Sequence, residues 1–238
     1  MRFPYGMQII ESCLSCTLKK DHLFCNLPPE ALRSLEAIRS TATYPKGTVL
    51  FVEGQSPRGV FLLCNGRGKL SATSSEGKSL ILKIAEAGEV LGLSATISGR
   101  PYEATAELLE PAQVNFMRRD EFLNFLRQNG EVALRTAQQL SQNYHSACQE
   151  VMTLGFSQSA SGRLARLLLD WAAGQEHAGN GHRLKMTLTH EEISQRIGTS
   201  RETVTRLFAD FKRRRIVSVE GSTLTIRDRS ALEAMSTS

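Results

Sequence analysis

The sequence contains no apolar run long enough to cross a membrane, and its first residues lack the hydrophobic core of a signal peptide. Its five cysteines are odd in number and are not arranged as a disulfide framework, so we expect a cytoplasmic protein without a membrane partner. No nucleophile elbow, P-loop, zinc-hydrolase motif or dinucleotide fingerprint is present, and no spacing of Asp and Glu singles out a catalytic pair. The sequence therefore predicts a protein that is not an enzyme.

Excess positive charge is concentrated in one segment. Residues 183–229 contain 11 Lys and Arg against 6 Asp and Glu, whereas the rest of the 238-residue chain contains 18 of each. The segment includes the run KRRR at 212–215. A basic run at a helix end often serves the helix dipole and solubility. Where a helix that binds nucleic acid directly precedes such a run, contact with phosphates is the favoured role.

The residues that directly precede this run, 189–211, have the pattern of a helix-turn-helix; their sequence is THEEISQRIGTSRETVTRLFADF. Thr189 with Glu192 matches a capping box, and so does Thr199 with Glu202, which predicts two helix starts ten residues apart. A glycine between them permits a tight turn. The positions predicted to be buried are Ile193 and Ile197 on the first helix and Val204, Leu207, Phe208 and Phe211 on the second.

The exposed face of the second helix is polar near its N-terminal end, from which a helix in the major groove reads bases. Arg can bind guanine O6 and N7 with two hydrogen bonds, and Glu can accept one from cytosine N4. Two alternatives stay open: Glu202 is only the capping partner of Thr199, and Arg206 is only a solvated charge. The polar face consists of Arg201, Glu202, Thr205 and Arg206.

The first half of the chain predicts a β-rich domain. Nine of the 18 glycines lie between Gly47 and Gly99, where they separate short apolar runs. This pattern predicts a β-roll or jelly-roll barrel, preceded by a helix over residues 28–39. With helices in the second half, the fold class is α+β. The predicted strands are TVLFV, VFLLCN, KLSATS, SLILKIA, ATAELL and AQVNFM.

A long helix over residues 131–154 carries apolar residues in alternating steps of four and three, the pattern of a heptad seam. We prefer a homodimer, because a two-fold axis places two recognition helices one DNA turn apart. The alternative is a single amphipathic helix packed on its own domain. A further helix over 161–174 and a hairpin, or wing, over 216–226 complete the pattern. The seam residues are Ala133, Ala137, Leu140, Tyr144, Ala147, Val151 and Leu154.

Residues 187–229 resemble the winged helix-turn-helix of the CRP/FNR family of bacterial transcription regulators, and SRETVTR at 200–206 is close to the CRP-type recognition helix. The resemblance covers nearly the whole chain. It implies a homodimer that binds a palindrome of TGTGA-like half-sites in double-stranded DNA under an effector or redox signal, with RNA polymerase as a further partner. The implied parts are a cysteine-bearing leader (1–26), a cyclic-nucleotide-binding-like β-roll (27–130), a dimerisation helix (131–155) and a winged helix-turn-helix (156–238).

The same resemblance implies roles for individual residues. Arg201, Glu202 and Arg206 would read the half-site, and Thr205 would tune base choice. Ser200 and Thr203 would contact phosphate. Thr189 is a further candidate for phosphate contact, and so is Lys212, because it begins the basic run after the recognition helix. A second interpretation assigns the helix-turn-helix to protein contact, which makes the chain an effector-sensing module; the exposed arginines argue against it.

Cyclic nucleotide binding in the family's usual mode is not favoured. Relatives that bind one place a Glu after a Gly and an Arg-Ser or Arg-Thr pair about ten residues on. This chain has Leu93 in the first place and Glu103-Ala104 in the second. An anionic phosphate beside Glu103 would meet like charge without a compensating Arg.

The spacing Cys13-x2-Cys16 followed by Cys25 resembles the N-terminal cysteine cluster of FNR. FNR's third cysteine corresponds to His22, and its fourth ligand would fall at 113–115, where this chain has Gln-Val-Asn. We commit to no cofactor, but Cys13, Cys16, His22 and Cys25 are candidates to hold zinc or an iron–sulfur cluster. Cys64 and Cys148 fit buried small hydrophobic residues.

Overall fold

The computed structural model describes residues 4–7, 9–16, 24–156, 159–173 and 182–236. The chain divides into two compact units, Met1–Ser146 and Ala147–Ser238. Within these described ranges, no helix combines the length and the apolar character needed to span a bilayer.

The first unit is built on two antiparallel four-stranded sheets, ordered β1-β8-β3-β6 and β2-β7-β4-β5. All six strands predicted from apolar runs are present, and the predicted β-roll is confirmed. Two strands were not expected, β1 and the two-residue β6. The strands are β1 (Arg39–Tyr44), β2 (Val49–Phe51), β3 (Gly59–Leu63), β4 (Gly68–Thr73), β5 (Ser79–Ala85), β6 (Val90–Leu91), β7 (Thr105–Leu108) and β8 (Ala112–Arg118).

Alternation along β3 and β8 divides the core of this unit into two parts. Leu63 and Val114 pack with Leu108 of the other sheet, between the two layers. Leu62 on β3 and Met117 on β8 point to the opposite face of their sheet, where helices cover them. The helices of this region are α1 (Pro29–Ile38), α2 (Leu93–Ser98) and α3 (Arg119–Gln128).

The long helix α4 spans Gly130–Phe156, close to the predicted range. At its start Val132 is fully buried in the same cluster as Leu62. The Gln139 side chain, also buried, pairs with the backbone of β6: it accepts from Val90 N at 3.1 Å and donates to Val90 O at 2.7 Å. Along the predicted seam, Ala133 and Leu140 are half-buried, whereas Ala137, Tyr144, Ala147 and Val151 are exposed. The Leu154 side chain lies outside the described residues.

The second unit contains a helix-turn-helix and a three-stranded sheet of order β10-β11-β9. The predicted wing is the hairpin of β10 and β11, and β9, which was not expected, adds a third strand beside β11. As predicted, α5 packs on the helix-turn-helix: Arg163 Nε donates to Ile197 O at 2.7 Å. The elements are α5 (Ala160–Ala173), β9 (His182–Lys185), α6 (His190–Ile197), α7 (Arg201–Arg213), β10 (Val217–Glu220), β11 (Thr223–Ile226) and α8 (Arg229–Ser236).

Candidate nucleic-acid interface

The first helix of the motif, α6, begins with the predicted capping box. Thr189 Oγ1 accepts from Glu192 N at 3.2 Å, and Glu192 Oε2 accepts from Thr189 N at 2.7 Å. The Thr189 hydroxyl also donates to the Glu192 carboxylate at 2.9 Å. The hydroxyl proposed for phosphate contact is therefore already engaged in capping the helix.

The turn and the second helix start differ from the sequence prediction in one respect. Gly198 ends α6 in the left-handed region, at φ 62°, as a glycine readily does. The N-cap of α7 is Ser200, whose hydroxyl accepts from Thr203 N at 3.2 Å. Thr199 instead donates its backbone N–H to Ser194 O, which closes the end of α6. The predicted Thr199–Glu202 capping box is wrong, because helical geometry begins at residue 201.

Glu202 is exposed in the first turn of α7. Its pKa is held below the usual value, first by a hydrogen bond from its own backbone N–H and then by one from the Ser200 hydroxyl. The carboxylate is thus ionised at the positive end of the helix dipole, where negative charge is stabilised. Because Ser200 is the N-cap of α7, the interpretation of Glu202 as the capping partner of Thr199 is wrong.

The four proposed base-reading side chains share the exposed face of the first two turns of α7. The Arg206 guanidinium donates to Thr203 Oγ1 at 3.2 Å, which holds it along the helix surface. The opposite face is apolar: Val204, Phe208 and Phe211 are buried, as predicted, and Leu207 is half-buried. The exposed set is Arg201, Glu202, Thr205 and Arg206.

One member of this surface was missed by the sequence analysis. His190 Nδ1 lies 3.0 Å from Thr205 Oγ1, and its ring stacks on Phe208 with centroids 5.0 Å apart. Because the Thr205 hydroxyl donates to Arg201 O, it is suited to accept from His190 Nδ1. Burial lowers the pKa of His190, and the positive charges of Lys212 and Arg201 lower it further. The contact joins α6 to α7 across 15 residues, so no local sequence pattern indicates it.

The basic run after the recognition helix is exposed throughout. Its members differ in their partners, since Arg213 and Arg214 both pair with Asp210 while Lys212 sits close enough to His190 to influence its pKa. Two arginines of the run are therefore partly neutralised by a neighbouring carboxylate.

In the β-roll, the positions that correspond to the family's nucleotide-binding residues carry other groups. Leu93 is buried at the start of α2, Glu103 is exposed and Ala104 is buried. Nearby, the hydroxyls of Tyr102 and Thr96 both donate to Gly59 O, at 2.7 and 2.9 Å. These two hydroxyl donors are thus used to hold the backbone of the β-roll.

The candidate metal ligands of the leader are only partly described. Cys13, Cys16 and Cys25 are half-buried, and His22 lies outside the described residues. Among the described side chains, no three His, Cys, Asp or Glu stand close enough to share one metal ion.

Two family models match the two halves of the chain. Residues 41–129 match a cyclic nucleotide-binding domain, and residues 162–235 match a Crp-like helix-turn-helix domain. The CRP-like cAMP-activated global transcriptional regulator of Mycobacterium tuberculosis is 25% identical over 217 residues, which cover 90% of this chain and 96% of the relative. The cAMP-activated global transcriptional regulator CRP of Pasteurella multocida is 23% identical over 184 residues, covering 77% of this chain and 88% of the relative.

Solved structures repeat the same architecture. A mutant of CooA from Carboxydothermus hydrogenoformans has a TM-score of 0.75 at 24% identity, covering 91% of this chain and 96% of its own. FixK2 from Bradyrhizobium japonicum has a TM-score of 0.73 at 20% identity, covering 84% and 98%. A β-roll joined through a long helix to a winged helix-turn-helix defines a CRP-like transcription regulator with a DNA-binding domain. The chain belongs to the CRP/FNR family of bacterial transcription regulators.

Proposed function

We propose that this chain is a homodimeric regulator that binds a palindromic operator of TGTGA-like half-sites. The observation that carries the proposal is the polar face at the start of α7, where Arg201, Glu202 and Arg206 are exposed above a buried apolar face. Arg201 and Arg206 supply guanine contacts, Glu202 accepts from cytosine, and Thr205 adjusts base choice. The phosphate contacts are assigned to Ser200, Thr203 and Lys212, with Thr189 contributing through the capped start of α6.

The proposal of a dimer is supported by the exposed seam of α4. Tyr144 and Val151 are 74% and 71% exposed, a high value for large apolar side chains on one stripe of a helix. A second copy of α4 packed against this stripe would bury them as a coiled coil does. The two-fold axis of that pair would present two α7 helices to successive major grooves.

We assign one role to each of four parts of the chain. Residues 1–26 are the leader, residues 27–130 the sensor, residues 131–155 the dimerisation helix and residues 156–238 the DNA-binding domain. The two named relatives are cAMP-activated regulators. For this chain we propose a different signal, because Glu103 and Ala104 offer no cation to a cyclic phosphate. An effector or redox change in the first unit would shift the dimer between arrangements that fit or do not fit two half-sites. RNA polymerase is the further partner through which bound dimer would act.

The test is selection from a random duplex pool with the purified full-length chain, under aerobic and anaerobic conditions. We expect an enriched inverted repeat, a gel shift with two chains per duplex, and weaker binding to a single half-site. A monomer that enriches no duplex under either condition would contradict the proposal and favour a module that acts through protein partners. Calorimetry with cAMP and cGMP tests whether a cyclic nucleotide is the effector. Micromolar affinity for either one would contradict the proposal of a different signal.

A further inference from the structure

Glu150, in the last third of α4, forms an ion pair with a residue of the helix-turn-helix. Its partner is Arg196, in the last turn of α6, whose Nη1 lies 2.7 Å from Glu150 Oε1. The side chains of Glu150 and Arg196 are only 20% and 21% exposed, so the pair is half-buried where the two helices meet. Both residues belong to the second unit, and the contact is therefore internal to it.

The end of α6 is also held from α5. Arg163, on α5, donates to the backbone oxygen of Ile197 at 2.7 Å, one residue after Arg196. Asp170, also on α5, pairs with Arg166 at 3.4 Å. Partial loss of hydration raises the pKa of Asp170, and the charges of Arg166 and Arg196 lower it. The guanidinium of Arg196 is thus felt by carboxylates of two helices, α4 and α5.

The surroundings of Glu150 favour a persistent contact. Burial raises the pKa of this carboxyl, and the Arg196 guanidinium lowers it through its charge and a hydrogen bond. The carboxylate has therefore given up part of its hydration where it meets Arg196. Partly buried ion pairs are screened by salt much less than exposed pairs. The pair can hold α4 and α6 together at physiological ionic strength.

Glu150 directly flanks the proposed dimer seam. In the heptad that places Ala147 and Val151 on the seam, the residue before Val151 occupies position g. Ala147 and Val151 are exposed, whereas Glu150 is half-buried. Carboxylates at position g commonly pair with the other helix of a coiled coil. Here Arg196 of the same chain binds the carboxylate, so α6 contacts α4 immediately beside the seam.

We propose that the Glu150–Arg196 pair sets the spacing of half-sites that the dimer accepts, by fixing the helix-turn-helix relative to the dimer seam. The seam and Glu150 lie on one continuous helix. The contact between His190 and Thr205 in turn joins α6 to the recognition helix. Glu150 and Arg196 are thus positioning residues, and neither is assigned a contact with DNA. The inference rests on the proposed function, in which a dimer binds a palindrome.

Half-site spacing is a sensitive measure of this position. One base pair added between two half-sites moves one of them by about 3.4 Å and turns it by about 35° around the duplex axis. Two recognition helices that are held rigidly to the seam cannot follow both changes without losing contacts. Without the ion pair, α6 is connected to α4 by way of α5 and can follow them more easily. Loss of the pair should therefore widen the range of accepted spacings and leave the reading of one half-site unchanged.

The test is a set of gel-shift titrations with the purified full-length chain, on the selected palindrome and on versions with one base pair added or removed at its centre. We compare wild type, Glu150→Ala, Arg196→Ala and the double variant. Wild type should lose at least about 10-fold in affinity when the spacing changes, whereas each single variant should lose less than about 3-fold. The double variant should tolerate no more spacings than either single variant, because the two residues act through one contact.

Glu233→Ala is the matched control. Glu233 Oε1 likewise lies 2.7 Å from an arginine nitrogen, Arg229 Nε, but both residues are on α8 and their side chains are about half exposed. This variant should keep the spacing preference of wild type. Affinity for a single half-site should stay within about 2-fold of wild type in every variant, which shows that the DNA-binding domain remains folded.

Sedimentation separates this role from a role in dimerisation. Glu150→Ala should change the dimer constant by less than about 2-fold. A weaker dimer would show that Glu150 pairs with the other copy of α4 and would overturn the proposal. Equal loss of affinity on altered spacings in wild type and Glu150→Ala would also overturn it, as would a wild type that accepts all spacings equally. In each of these cases wild type still binds the palindrome, whereas a wild type that binds no duplex contradicts the proposed function itself.

Discussion

His190 Nδ1 and Thr205 Oγ1 lie 3.0 Å apart, so the first residue of α6 supports a residue of the proposed base-reading face of α7. The imidazole also stacks on Phe208, which anchors it to the buried side of α7. Thr205 is thus oriented from two directions, by His190 and by the backbone oxygen of Arg201. The reading face depends on contacts between the two helices as well as on the recognition helix itself.

This contact predicts a pH dependence of stability. The pKa of His190 is lowered in the folded chain, so below about pH 6.5 the unfolded chain binds a proton that the folded state resists. The stability contributed by neutral His190 should therefore be present above about pH 6.5 and should be lost progressively as the pH falls below that value. His190→Gln removes the titration and should flatten the curve of unfolding free energy against pH. Urea unfolding of both proteins measures this, and parallel curves would contradict it.

Capping of α7 distinguishes two neighbouring hydroxyl residues. Ser200→Ala removes the acceptor for Thr203 N and should cost about 0.5–2 kcal/mol of unfolding free energy. Thr199→Ala is the matched control, because the contact of Thr199 with α6 is made by its backbone and survives the change. Thermal or urea unfolding gives both values. A larger loss of unfolding free energy for Thr199→Ala than for Ser200→Ala would indicate that residue 199 is the cap of α7.

The base-reading role predicts a sequence-dependent loss for the arginines. Arg201→Ala or Arg206→Ala should lose about 1–3 kcal/mol on the selected operator and relax base choice at the position each one reads. Titrations on the operator and on a scrambled duplex measure the difference. Equal losses on both duplexes would assign that arginine to phosphate contact instead.

Lys212 should behave in the opposite way. Lys212→Ala removes one phosphate contact, so binding should weaken by a similar factor on every duplex, and the slope of log K against log salt should fall by about one. The control is Lys78→Ala, a lysine of the first unit whose side chain is 83% exposed. An unchanged salt slope in Lys212→Ala would remove this residue from the interface.

The sequence predicts the strands with continuous apolar runs and the helices with strong periodicity. In both cases the local spacing of apolar residues indicates which face of the element is buried. The strand β1, RSTATY, could not, since its residues are mostly polar and it is held by pairing with β8. The cap of α7 was predicted at Thr199 but lies one residue later, at Ser200. Both residues carry a hydroxyl that can cap a helix, and the geometry of the turn decides between them.

The polar face of α7 was predictable for the same reason as its buried face, since both follow the helical period. The support from His190 was not predictable, because it depends on a tertiary contact between α6 and α7, whose residues lie 15 positions apart in the sequence.

The dimer seam can be tested with two adjacent substitutions on α4. Val151→Asp places a charge on the proposed seam of both protomers and should weaken dimerisation at least about 100-fold, or 2.7 kcal/mol. Met152→Asp is the matched control, because Met152 is 57% exposed on the same turn but lies off the seam. Both side chains are exposed in the single chain, so neither change should lower its unfolding free energy by more than about 0.5 kcal/mol.

Sedimentation across a dilution series measures the dimer constant, and gel shifts on the palindrome measure its consequence. Val151→Asp should bind a palindrome little better than a single half-site, since the two recognition helices are no longer joined. Met152→Asp should keep the preference of wild type for the palindrome. If both variants dimerise equally well, α4 pairs through another face, and the spacing of half-sites must be set by contacts elsewhere in the chain.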